Sequence, residues 1–169
     1  MNSKCIASYS AGRQRGLTLI ELMVAVAVLA ILLTVAAPSF REFTAAQRVK
    51  TAASEMAAAL SYARSEAIKL RANVRVRAPT GNFADGWEIQ DMSDAGNPLL
   101  LRKQTDLPDV TFGMTPGGTS VFTYGLDGRT NATVTALISS GASSSKRCLS
   151  VDTTGMPRAR ITSTASTTC

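Results

Sequence analysis

Residues 17–37 constrain the fold of this chain more than any other stretch. The 21 residues from Leu17 to Ala37 carry one charge, Glu21. At the α-helical rise such a run reaches about 31 Å, the thickness of a bilayer's hydrocarbon core. A run that long and apolar all round folds as a helix that needs lipid or other apolar helices around it.

Its flanks separate it from a secretory signal peptide, which has a shorter apolar core followed by a small-residue cleavage site. Here the small residue, Gly16, precedes the core and directly follows Arg13, Gln14 and Arg15. The basic residues hold the leader on the cytoplasmic side. A cut after Gly16 would remove the leader and keep the helix. Glu21 is costly in such a run, about 2.5–3.5 kcal/mol on insertion scales, so it calls for a partner. Cleavage would supply one, a cationic amine on Leu17 one helical turn away, in the same chain or a neighbouring one. A helix N-terminus also favours a nearby carboxylate.

Arg15, Gly16, the apolar residue at 17, Thr18-Leu19-Ile20-Glu21-Leu22 and Pro38 together resemble the type IV prepilin signature. The resemblance implies cleavage after Gly16 by a prepilin peptidase, N-methylation of Leu17 and assembly with other major and minor pilins through the N-terminal helix. Glu21 would act in that assembly. Leu17 stands where phenylalanine is usual in the family. The implied location is a single pass through the inner membrane with the head in the periplasm, followed by incorporation into a pilus or pseudopilus.

Charge is segregated along the 169 residues. The formal +6 includes Lys4, Arg13 and Arg15 of the leader, so the processed chain carries +3. Residues 41–77 hold eight basic and three acidic groups, 78–128 two and seven, 129–169 five and one. Faces of opposite sign follow, suited to subunit packing and solubility or to a polyanion. Of the three cysteines, Cys5 would leave with the leader on processing. Cys148 and Cys169 remain on the exported side, where an oxidising environment favours a disulfide over two free thiols.

Beyond Pro38, which reads as a kink, Phe40, Phe43, Val49, Ala53, Met56, Leu60, Ala63, Ala67 and Leu70 recur at helical spacing. One helix from Leu17 to about Arg71 is expected, amphipathic in its second half. The period then becomes two. Val74/Val76, Trp87–Ile89, Leu99–Lys103, Val110–Phe112, Val121–Tyr124, Thr133–Ile138, Cys148–Val151 and Ala159–Ile161 read as short strands. Asp127-Gly128 signals a hairpin between the fifth and sixth, and Thr153-Thr154-Gly155 one between the last two. Ser139–Ser145 reads as a flexible loop by composition. The expected divisions are a leader at 1–16, a filament-core or membrane helix at 17–38, the amphipathic half at 39–71 and a β-rich head at 72–169.

Tyr62-Ala63-Arg64-Ser65-Glu66-Ala67-Ile68, the Val74/Val76 strand, Gly86-Trp87, and Arg147-Cys148-Leu149 with Gly155 downstream extend the resemblance. They are similar to the FimT/FimU minor pilins and to the GspH-type minor pseudopilins of type II secretion. The fold implied is α+β and type IV pilin-like: one long N-terminal helix packed against a C-terminal antiparallel β-sheet domain.

Catalytic chemistry is not indicated. The chain has no histidine, which removes the commonest general base and metal ligand. Asp91, Asp94 and Asn97 lack an EF-hand pattern and read as a solvated loop. No cofactor and no metal is expected. Lys146, Arg147, Arg158 and Arg160 fall on the two arms of the last hairpin. Arg158 and Arg160 are two apart, hence on one face of a strand, where two guanidinium groups can grip successive phosphates. Some members of the resembled family bind DNA through a C-terminal Gly-Arg-x-Arg. Arg158-Ala159-Arg160 is similar to its Arg-x-Arg part, with Pro157 in the place of the glycine. A solvated or subunit-contacting strand is the alternative. The resemblance implies a minor pilin that aids assembly, with or without DNA capture, or a pseudopilin of a type II secretion system.

Overall fold

The computed structural model describes residues 16, 18–162 and 169. The expected leader, Leu17 and the tail at 163–168 lie outside the described residues. The chain divides into two compact units, Met1–Pro38 and Ser39–Cys169.

Helix α1 runs from Leu19 to Leu70 and passes through Pro38. Its start is built by Thr18, whose Oγ1 accepts the Glu21 N–H at 3.3 Å. That satisfies one of the donors a helix N-terminus leaves free. Among the described residues of the first unit the large apolar side chains are exposed, Leu19, Ile20, Leu22, Val24, Val28 and Ile31 among them. Neither Leu19–Thr34 nor Ala36–Leu70 alone is long and apolar enough to cross a membrane; the two taken together pass by length and composition.

The second unit holds the core. Ala45, Val49, Ala52, Ala53, Met56, Ala59, Leu60, Ala63 and Ala67 are buried on α1. At 100° per residue they fall within an arc of about 120°, the width of a core-facing stripe. The many alanines let the sheets approach closely. Phe40, Phe43 and Leu70 belong to the same periodic pattern but are exposed at 68%, 59% and 40%. Buried helix residues begin only at Ala45, so periodicity overstates the stripe at both ends.

Eight strands follow: β1 (Val74–Arg77), β2 (Trp87–Asp91), β3 (Leu99–Gln104), β4 (Thr111–Thr115), β5 (Val121–Tyr124), β6 (Val134–Ser140), β7 (Ser143–Val151) and β8 (Pro157–Thr162). They form two four-stranded sheets, ordered β3-β2-β1-β5 and β4-β6-β7-β8. Every pairing is antiparallel. Val74, Val76, Ile89 and Tyr124 of the first sheet and Ala136, Ile138, Leu149 and Val151 of the second join the helix stripe in one cluster. Phe83 stacks between the sheets, its ring centroid 5.6 Å from Phe122 and 6.4 Å from Phe112. The fold is that expected, a long N-terminal helix with an antiparallel β-sheet domain.

Two local expectations are corrected. Asp127-Gly128 does not close a β5–β6 hairpin. A turn forms there, with Gly128 N–H on Gly125 O at 2.8 Å, but β5 pairs with β1 and β6 with β4 and β7. The segment crosses from one sheet to the other, because partner choice follows which strands share a buried face rather than which are adjacent in sequence. The serine-rich stretch is not a loop either. Its outer parts are strand, Ser140 opposite Ser143, and only Gly141 and Ala142 turn. Serine is small enough to pack in a ladder: Ser140 is buried, and the Ser139 and Thr111 hydroxyls meet at 2.9 Å.

Candidate functional site

The basic hairpin is the β7–β8 pair, and its register sorts the four cations. Lys146 lies opposite Thr162, Cys148 opposite Arg160 and Ser150 opposite Arg158. On the other face Arg147 lies opposite Ile161, Leu149 opposite Ala159 and Val151 opposite Pro157. Leu149 and Val151 are buried, so this second face is the core side. Strand alternation therefore puts Lys146, Arg158 and Arg160 on the outer face and Arg147 on the inner one. Arg147 Nε is buried with no hydrogen-bond partner. The four cations expected as one cluster are three outward and one inward; odd and even positions of β7 differ by a face.

The chain end comes to the same outer face. Cys148 is bonded to Cys169 across 21 residues of sequence, with Cα atoms 5.6 Å apart. Cys169 Sγ lies 3.4 Å from Ala136 O on the neighbouring strand. At the hairpin turn Asp152 is held below the ordinary carboxylate range, first by the Thr154 hydroxyl and against some desolvation, then by the Thr154 N–H, the Arg158 charge and the Met156 N–H. Asp152, whose charge acts on Arg158, is thus kept ionised by its own turn and tempers the positive patch.

The sequence does not single out Arg64 within Tyr62–Ile68, yet the structure makes it a contact between elements. Arg64 Nε donates to Gly128 O at 3.1 Å, and Nη1 lies 3.9 Å from Met156 Sδ. It also faces Tyr124, whose buried phenol is raised far above its usual value by desolvation, partly offset by the arginine. Gly155, at φ 76°, lies where a Cβ would stand 2.1 Å from Gly128 O. Helix, β5–β6 crossing and β7–β8 turn are pinned together here. The signal available was a lone arginine between the buried positions Ala63 and Ala67 of an alanine-rich stripe.

The acidic segment forms turns. Asp91 Oδ1 accepts the Ser93 N–H at 2.8 Å and Asp94 Oδ1 the Gly96 N–H at 2.9 Å. Other charges pair across elements, Arg77 with Glu88 at 3.1 Å and Arg48 with Asp109. Among the described residues no group of three or more acidic, histidine or cysteine side chains is placed to hold a metal.

At the N-terminus, Gly16 and Glu21 are described and exposed, and Glu21 occupies the first turn of α1. Residues 12–37 match the model of the prokaryotic N-terminal methylation motif. A crystal structure of the type IV minor pilin FimU of Pseudomonas aeruginosa superposes with a TM-score of 0.61 at 24% identity, covering 75% of this chain and 98% of that one. A second crystal form gives 0.57 at 24%, covering 71% and 98%. This likeness speaks for the fold. No curated protein matches the chain. Residues 52–155 match the model of type II transport protein GspH, and since that span is more than half of the sequence, the chain belongs to the GspH family.

Proposed function

We propose that this chain is a minor pilin: a subunit anchored in the inner membrane by residues 17–38, cleaved after Gly16 by a prepilin peptidase, methylated on Leu17 and then built into a type IV pilus. One observation carries the reading. The methylation motif at 12–37 takes in the start of a helix whose large apolar side chains from Leu19 to Leu33 are exposed. Such a surface needs lipid first and neighbouring helices afterwards. Glu21 lies one turn from the amine that cleavage would create, and a neighbour's amine would fix the register of packing. Glu21→Ala removes a charge costing about 2.5–3.5 kcal/mol in a bilayer. Membrane insertion should therefore hold or improve while incorporation into sheared pili falls about tenfold or more. Immunoblots of membranes and of sheared filaments read both. Normal incorporation of the variant would reject the mechanism.

The outer face of the β7–β8 hairpin supports a second role, capture of DNA by Lys146, Arg158 and Arg160, with Arg147 on the opposite face contributing little. Three phosphate contacts give a log-log salt slope of about −2 to −3. Arg158→Glu with Arg160→Glu should abolish retention of duplex DNA by the full chain without loss of piliation. Retention unchanged by the pair, or insensitive to salt, would reject DNA capture.

A pseudopilin of a type II secretion machine is the competing assignment, favoured by the family's description as a type II transport protein. Deletion separates the two, since loss of pili with normal secretion supports the pilus and the reverse supports the secretion machine.

A further inference from the structure

We propose that the cleft between the first turns of α1 in the second unit and the β6–β7 turn binds the phosphodiester headgroup of an anionic phospholipid. The proposal rests on the reading of residues 17–38 as the membrane anchor.

The cleft is open, with a volume of about 470 Å³, and its walls include Arg41, Thr44, Arg48, Asp109, Ser140 and Gly141. Arg41 and Arg48 are seven residues apart on one helix, two turns, and so share a side. Arg48 Nη1 is paired with Asp109, which leaves its other two nitrogens for a ligand. The Arg41 guanidinium has no partner among the described residues. Ser140 is only 6% exposed. Its Oγ accepts the Ala142 N–H at 3.4 Å, and its own hydroxyl proton meets no acceptor among the described residues. At Gly141 a side chain would meet nothing within 4 Å, so the backbone there is open to an approaching oxygen. Two arginines and one aspartate leave the cleft one positive charge, which matches a singly charged phosphodiester better than a doubly charged phosphate monoester.

Two further observations specify a lipid as the source of that phosphate. Arg41 follows Pro38 by three residues, about 4.5 Å of helix rise, so chain continuity sets it just beyond an anchor that ends at residue 38. Phe40 and Phe43 flank it at 68% and 59% exposure. A helix at headgroup level carries Lys or Arg on its polar face and Trp, Phe or Leu on its apolar one. The two phenylalanines that the core leaves uncovered thus gain an environment.

The test uses the full chain purified in mixed detergent micelles, with bound lipid counted by native mass spectrometry. Phosphatidylglycerol is compared with zwitterionic phosphatidylcholine. The expected result is a preference for phosphatidylglycerol that falls about fivefold in Arg41→Gln, the worth of one cation at a membrane surface. Arg41→Lys should keep part of it, and Lys69→Gln, on the same helix beyond the cleft, should keep all of it. Arg41 has no partner to lose, so its removal does not threaten the fold. Equal retention of the two lipids, or a preference unchanged in Arg41→Gln, overturns the proposal. Displacement of the lipid by an equal concentration of inorganic phosphate also overturns it, by making the cleft a free-anion site. Carbonate extraction of the same membranes reports anchoring separately. A chain that washes out refutes the anchor, whereas one that stays without a lipid preference refutes only the headgroup site.

Discussion

At the scale of single residues, two glycines with the same backbone sign show what a conformation costs and what a close approach adds. Gly81 and Gly155 both have positive φ, 88° and 76°. A Cβ on Gly81 meets nothing within 4 Å, whereas on Gly155 it would stand 2.1 Å from Gly128 O and 3.1 Å from Tyr124 Cε1. Gly81→Ala therefore pays only for the left-handed conformation, about 1–2 kcal/mol. Gly155→Ala pays that and must also push backbone away from backbone at the point where Arg64 holds Gly128. We expect about 3–4 kcal/mol in all, read as a difference in urea midpoint between the two variants. Equal midpoints would mean that the Arg64–Gly128–Gly155 contact does not hold the turn. The same contact explains why Gly155 was legible in sequence only as a turn residue. Its left-handed φ follows from local chemistry, but the neighbour that forbids a side chain is 27 residues away.

Among the elements, helix and strands were legible to different depths. The stripe from Val49 to Ala67 could be read because helical periodicity is local and the second unit buries it. Its extension to Phe40 and Phe43 could not, because periodicity reports an apolar face and not whether anything covers it. Met56 is the largest stripe side chain with no exposure at all. Met56→Ala should destabilise the head by about 2–5 kcal/mol, whereas Phe43→Ala should cost under about 0.5 kcal/mol. A thermal melt of each variant checks the contrast, and similar losses would mean that Phe43 packs after all. Strand positions were legible from Val74/Val76 and Cys148–Val151, since alternation is also local. Strand partners were not. Asp127-Gly128 carries a hairpin's chemistry at a place where the chain changes sheets. For the candidate site, alternation sets Arg158 and Arg160 on one face, as expected, and the same rule applied to β7 separates Lys146 from Arg147. That separation was open to the sequence as soon as Leu149 and Val151 were taken as core positions.

For the whole molecule, the two units differ in what makes them stable, and the disulfide belongs wholly to the second. Among the described residues, 39–169 contain every buried residue of the core, both sheets and both bonded cysteines. The described side chains of the first unit are all exposed. A chain beginning at Ser39 should therefore fold by itself, with a cooperative melt and no need for detergent. Within it, the Cys148–Cys169 bond closes a loop of 21 residues in sequence separation, worth about 3 kcal/mol by chain entropy. It also returns the chain end from edge strand β8 to the outer face of β7. Cys169→Ser should lower the urea midpoint by about that amount while leaving the β-sheet circular dichroism intact, because Leu149, Val151 and Ala136 remain packed without it. If the variant failed to fold, the bond would be organising the sheet rather than restraining its last strand. A midpoint unchanged under reducing conditions would mean instead that the unfolded chain gains nothing from losing the loop. A partial loss of stability with the sheet retained is what a staple on an already completed core produces.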